Sequence, residues 1–132
     1  MSNNTFQIKY RHHYIGPLEA GASWKIEVVV NQDGCVKARK YMNDGANMHF
    51  RIAEKITKDV SPKLVYVWHE TFMDLIRNQN EIEMYLDDTV EEMILETPGL
   101  SIHADRGLSD GTQTIEDLAK KMLDELDLRW SR

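Results

Sequence analysis

The chain has 132 residues, 42% of them hydrophobic, a net charge of −6 and a single cysteine, Cys35. A chain of this length suits one domain that buries about two-thirds of the surface its unfolded form exposes, and the lone cysteine excludes an internal disulfide framework. Met1 to Thr5 lacks the basic start and apolar stretch of a secretory leader, and no apolar run approaches the roughly 20 residues that span a bilayer, so a cytoplasmic protein with no membrane role is expected.

Phe6, Ile8, Tyr10, His12 and Tyr14 alternate with Gln7, Lys9, Arg11 and His13, the period-2 signature of a strand with one buried face, which Gly16-Pro17 ends. Trp24, Ile26, Val28 and Val30 repeat the pattern in a second strand, joined through Asn31-Gln32-Asp33-Gly34 to a third run from Cys35 to Met42. A two-residue Asp33-Gly34 loop would set Val28 opposite Arg39 and Val30 opposite Lys37, mixing apolar and charged groups on one face. A three-residue loop with Gly34 left-handed pairs Trp24 with Met42, Val28 with Ala38, Val30 with Val36 and Glu27 with Arg39, and this register is the predicted one. It leaves Lys40 opposite Ile26, where its stem covers apolar surface.

Beyond Met42 the period changes. Met48, Ile52, Ile56 and Val60 are spaced four apart and predict a short helix, although the β-branched residues there also suit a strand. Ser61-Pro62 supplies an N-cap and first-turn pair for a helix that carries Leu64, Val65, Trp68, Phe72, Leu75 and Ile76 on one face and ends near Asn78. Asn80 with Glu83 approximates a capping box for a helix over Glu81–Glu96, stopped by Thr97-Pro98-Gly99. Leu100, Ile102 and Ala104 alternate as in an extra strand near 100–104, inside a long connection over residues 97–113. Thr114 caps a last helix with Ile115, Leu118, Ala119, Met122, Leu123 and Leu126 on its apolar face. The expected architecture is α+β in one domain over residues 1–132. An N-terminal three-stranded antiparallel sheet, with its β-hairpin at 24–42, packs against three or four C-terminal helices.

Charge is spread unevenly. Met1–Asn80 carries 11 Lys/Arg against 8 Asp/Glu, while Glu81–Asp127 carries 3 against 14. Seven acids and no base fill Glu81–Glu96, and in a helix Glu92 and Glu96 would sit near the negative end of the dipole, where local stability does not select them. The leading expectation is a non-enzymatic acidic interaction protein of the inhibitor, immunity or phage counter-defence type, which occupies a basic protein partner through Asp87, Asp88, Glu91 and Glu92. Against it stands a plainer reading, in which the same acids meet the basic sheet within the molecule.

The alternative is a nucleic-acid-binding regulator that uses Lys9, Arg11, Lys37 and Arg39 on the outward sheet face, with His13 and Tyr41 nearby; the acidic total weighs against it. A third reading is a small enzyme with its site in the 97–113 loop, where Ser101, His103, Asp105, Arg106, Ser109 and Asp110 cluster without a nucleophile-elbow motif around either serine. No cofactor or metal is expected. The five histidines and Cys35 match no zinc spacing, and Met73 stands where the helical motif begun by His69-Glu70 needs its second histidine. Trp24, Trp68 and Trp130 fall at core spacing.

Overall fold

The computed structural model describes residues 5–14, 24–43, 50–82 and 89–128. In chain order the elements are β1 (Gln7–Tyr14), β2 (Trp24–Asn31), β3 (Cys35–Asn43), β4 (Phe50–Asp59), α1 (Pro62–Arg77), β5 (Glu81–Ile82), β6 (Thr89–Thr97), β7 (Leu100–Asp105), β8 (Leu108–Ser109) and α2 (Ile115–Leu126). Six strands form one antiparallel sheet in the order β4-β3-β2-β1-β6-β7, and β5 pairs with β8. The first four strands are a meander. α1 then carries the chain back so that β6 pairs with β1 on its free side.

Strand alternation sorts the side chains into two faces. Phe6, Ile8, Tyr10, Val28, Val30, Val36, Ala38, Met93, Leu95 and Ala104 point inward and cluster with Val65, Trp68, Phe72 and Leu75 of α1 and with Ile115, Leu118, Ala119, Met122 and Leu126 of α2. Both helices therefore cover the same face. The Ser61 hydroxyl caps α1 by accepting from the Lys63 amide, and Pro62 stands in its first turn. α2 opens with a capping box in which Thr114 and Asp117 exchange hydrogen bonds. No base stands in its last turn, but the Lys58 ammonium reaches over from β4 to the carbonyls of Leu126 and Asp127, offsetting the negative end of the helix.

The β2–β3 hairpin has the three-residue loop: Trp24 faces Met42, Glu27 faces Arg39, Val28 faces Ala38 and Lys40 lies opposite Ile26. The Gly34 amide donates to the Asn31 carbonyl at 2.9 Å, and Gly34 adopts φ 96°. A side chain there would also meet the Val60 carbonyl oxygen at 2.1 Å, so both conformation and space demand glycine.

The architecture otherwise corrects the sequence expectation. The main sheet has six strands where three were expected, and the described residues hold two helices where three or four were expected. Residues 50–59 are strand β4, because a spacing of four is also two strand periods. Ile52, Ile56 and Thr57 are β-branched and favour the strand. The expected helix over Glu81–Glu96 is replaced by β5 and β6, with residues 83–88 outside the described set. Tertiary pairing overrides the helical pattern here: in β6, Glu92 lies directly opposite Arg11, and Glu96 reaches Lys9. Pro98-Gly99 forms a two-residue hairpin turn, with Gly99 at φ 84°, instead of stopping a helix. β7 follows as the last strand of the sheet.

Candidate functional site

Both helices pack on one side, so the opposite side of the sheet is left without a helical layer among the described residues. Its charges divide along the strand order. On the β1–β6–β7 half, Lys9 pairs with Glu96 at 3.1 Å, Arg11 with Glu92 at 3.6 Å, and His103 approaches Glu92 at 3.7 Å. Glu27 of β2 is shared by Lys25 at 3.6 Å and Arg11 at 3.9 Å.

The β3–β4 half differs. Lys37, Arg39 and Lys55 are exposed and have no ion-pair partner among the described residues. Arg39 and Lys55 lie directly opposite each other in the ladder. Like charges so placed are mildly destabilising, while Glu27 faces Arg39 favourably from the β2 side, so Lys55 is the member of the pair that local stability does not select. Tyr41 continues the outward row of β3 beyond Lys37 and Arg39, with the Lys25 ammonium 4.7 Å from its ring centroid.

A β-bulge shapes the end of this patch. Lys40 pairs with Glu54 but Tyr41 pairs with Ile52, which leaves Ala53 as the extra residue. A regular ladder would set Ile52 opposite Met42, on the helix-covered face. The bulge turns it outward beside Tyr41, where it is 44% exposed.

A second polar cluster lies beneath the sheet. The Glu91 carboxylate accepts from the Tyr10 hydroxyl at 3.0 Å and from Arg106 Nη1 at 3.3 Å, with His12 Nε2 at 3.4 Å. Side-chain exposure is 10% for Arg106 and 9% for Glu91. The Arg106 backbone extends the tie, donating to the Glu91 carbonyl and accepting from the Glu116 amide at the start of α2. Burial, reinforced by the Glu91 carboxylate, pushes the Tyr10 phenol far above its ordinary pKa of 10.0, so it serves as a permanent donor. The groups satisfy one another, and the cluster anchors β1, β6 and the 106–107 turn to α2.

The residues expected to contact a basic partner are thus dispersed. Asp87 and Asp88 lie outside the described residues, Glu91 is buried in the cluster, and Glu92 is held between Arg11 and His103. Of the four cations expected to meet nucleic acid, Lys9 and Arg11 are paired with acids, while Lys37 and Arg39 form no ion pair among the described residues, although Glu27 lies opposite Arg39 in the β2–β3 ladder. Lys55 and Ile52 join that patch only through β4, and the assignment of their segment to a helix concealed them.

The 97–113 connection is largely β7 and β8. Ser101 Oγ lies 3.3 Å from His103 Nε2, whose other ring nitrogen faces Glu92 at 3.7 Å. That last separation exceeds a hydrogen bond, and the row lies on an exposed edge strand, so it lacks the enclosure that nucleophilic chemistry needs. Asp105 is exposed, and Ser109 accepts from the Gly111 amide. Hydrogen bonds from Thr112 and Gln113 hold the Asp110 carboxyl below its ordinary range and organise the turn before α2. Among the described residues no group of three or more His, Cys, Asp or Glu side chains is placed to hold a metal, and no helix is long and apolar enough to cross a membrane.

A cleft of about 650 Å³ opens at the sheet end that bears the 31–34 and 97–100 turns, with Phe6, Gln32, Asp33, Pro62, Tyr66 and Glu96 in its wall. Gln32 donates to the Tyr66 hydroxyl and accepts from the Phe6 amide, while Glu96 is taken by Lys9. These polar groups are spent within the wall. On the sheet face itself, the exposed cations without an ion pair among the described residues are Lys37 and Arg39 of β3 and Lys55 of β4. No protein-family model and no curated protein sequence matches the chain.

Proposed function

We propose that this chain is a non-enzymatic binding protein that docks a polyanionic partner on the β3–β4 half of the sheet face that carries no helix among the described residues. One observation carries the reading: Lys37, Arg39 and Lys55 are exposed side by side with no ion pair among the described residues, Arg39 and Lys55 in direct opposition, while Lys9 and Arg11 on the other half are paired with acids. Phosphate binding needs such clustered cations and releases counterions in proportion to the contacts made. Titration with inorganic polyphosphate tests it. Three contacts give a log–log salt slope of about −2, and substituting all three cations by alanine removes binding. No interaction at low salt would end this reading.

A second reading keeps the basic protein partner on a different acidic surface. Asp124 and Glu125 are exposed at the carboxyl end of α2, against the helix dipole, and have no cation partner among the described residues. Replacing both with lysine would slow association with such a partner and leave polyphosphate binding intact.

A further inference from the structure

We infer that the polyanion is single-stranded nucleic acid, laid along β3 with its phosphates on the cations and an unpaired base on the apolar end of the same row. This rests on the polyanion reading above and specifies its partner. Lys37, Arg39 and Tyr41 occupy successive outward positions of one strand, so their origins are about 6.6 Å apart and keep step with an extended chain of nucleotides. A partner that supplied negative charge alone would use Lys37, Arg39 and Lys55 and gain nothing from what lies beyond them.

Beyond them lie Tyr41 and Ile52. The bulge at Ala53 turns Ile52 out beside Tyr41, against the ordinary preference to bury a large apolar side chain. Opposed in the ladder, they put an aromatic ring and an exposed apolar side chain at the end of a cationic row. Stacking is tolerant of sequence because every base has a π-face, and it requires that base to be unpaired, which separates single strands from duplex. The Lys25 ammonium sits over the Tyr41 ring at 4.7 Å, so a base must take its place to use that face. A base stacking there displaces that ammonium towards the neighbouring phosphate.

Anisotropy of a labelled oligothymidylate tests the inference, with a duplex of equal length, inorganic polyphosphate and polyglutamate as comparison ligands for the full chain. Single strands are expected to bind about tenfold more tightly than the other three. Tyr41→Ala should cost about tenfold on the single strand and nothing on polyphosphate, and Tyr41→Phe should restore the loss. Tyr41 is partly exposed, and matching melting curves verify that both variants fold. Equal affinity for all four ligands, with Tyr41→Ala neutral throughout, would overturn the nucleic-acid inference and leave the polyanion reading standing. Tighter binding of duplex or polyglutamate would also overturn it. Failure of every ligand to bind at low salt would overturn the polyanion reading itself.

Discussion

Lys55→Glu separates function from stability, because the two should move in opposite directions. Lys55 faces Arg39 across the β3–β4 ladder, and both side chains are exposed. Directly opposed side chains stand about 4.5–5.5 Å apart at Cβ, where like charges cost and opposite charges contribute roughly 0.2–1 kcal/mol. Exchanging repulsion for attraction therefore stabilises the fold by about 1 kcal/mol, or about 3–5 °C in melting temperature for a chain of this size. Salt screens exposed charges, so the gain should shrink in 1 M salt, where the Debye length is about 3 Å. The same substitution removes one of three phosphate contacts and places an anion beside the other two, so affinity for polyphosphate should fall at least tenfold. Thermal melts followed by tryptophan fluorescence read the first effect, and titration reads the second. A variant that melts lower would refute the opposed register of Arg39 and Lys55, and one that binds unchanged would refute the site.

Arg106→Met strands the buried Glu91 carboxylate and should cost about 3–5 kcal/mol in urea unfolding. Adding Glu91→Gln to Arg106→Met removes the unpaired charge and should recover part of the loss. Because the folded pKa of Tyr10 is raised, its contribution is complete below the unfolded value near 10 and is lost as pH rises beyond it, at up to about 1.4 kcal/mol per pH unit. Comparing Tyr10→Phe with the parent chain should show a shallower alkaline fall in the variant, and parallel curves would contradict the buried phenol. Gly34→Ala forces a side chain into positive φ and against the Val60 carbonyl, so a loss of about 2 kcal/mol or more is expected by denaturant titration.

Much of the local structure was legible in the sequence. In the β2–β3 hairpin, one register mixes Val28 with Arg39 and the other pairs it with Ala38, so the side chains decide without tertiary information. Ser61-Pro62 and Thr114 with Asp117 carry helix starts in their own chemistry. The segments misread were those whose pattern fits two periods. Ile52 and Ile56 are compatible with a helix turn and with two strand steps, and the continuous apolar run Met93-Ile94-Leu95 has no period of its own: in β6 Met93 and Leu95 enter the core while Ile94 is buried on the other face, opposite Lys9. What decided these segments lies far along the chain, in β3 for the first and β1 for the second. Lys37, Arg39 and Tyr41 of the proposed site were visible on the outward row of β3. Lys55 was hidden by the same ambiguity, and no local signal marks the bulge at Ala53 that brings Ile52 to Tyr41.

Strand order, more than composition, decides which charges remain available. β1 lies between β2 and β6, so Arg11 finds Glu27 on one side and Glu92 on the other, and a basic strand becomes electrically quiet. β3 stands three strand spacings from β6 and β4 four, about 14 and 19 Å, both beyond the roughly 8 Å Debye length at physiological salt. The acids of β6 therefore cannot neutralise Lys37, Arg39 or Lys55 there, and the patch acts as a local cation cluster on a chain of net charge −6. Lowering the salt lengthens the reach of those acids. The whole-molecule field then opposes an incoming polyanion while each phosphate contact strengthens, so the salt slope should flatten below about 10 mM, where the Debye length is about 30 Å. Replacing the Glu92 and Glu96 carboxylates by amides should steepen the low-salt limb without changing affinity at 150 mM. An effect of equal size at both salt concentrations would mean that the two halves of the face are not electrostatically separate.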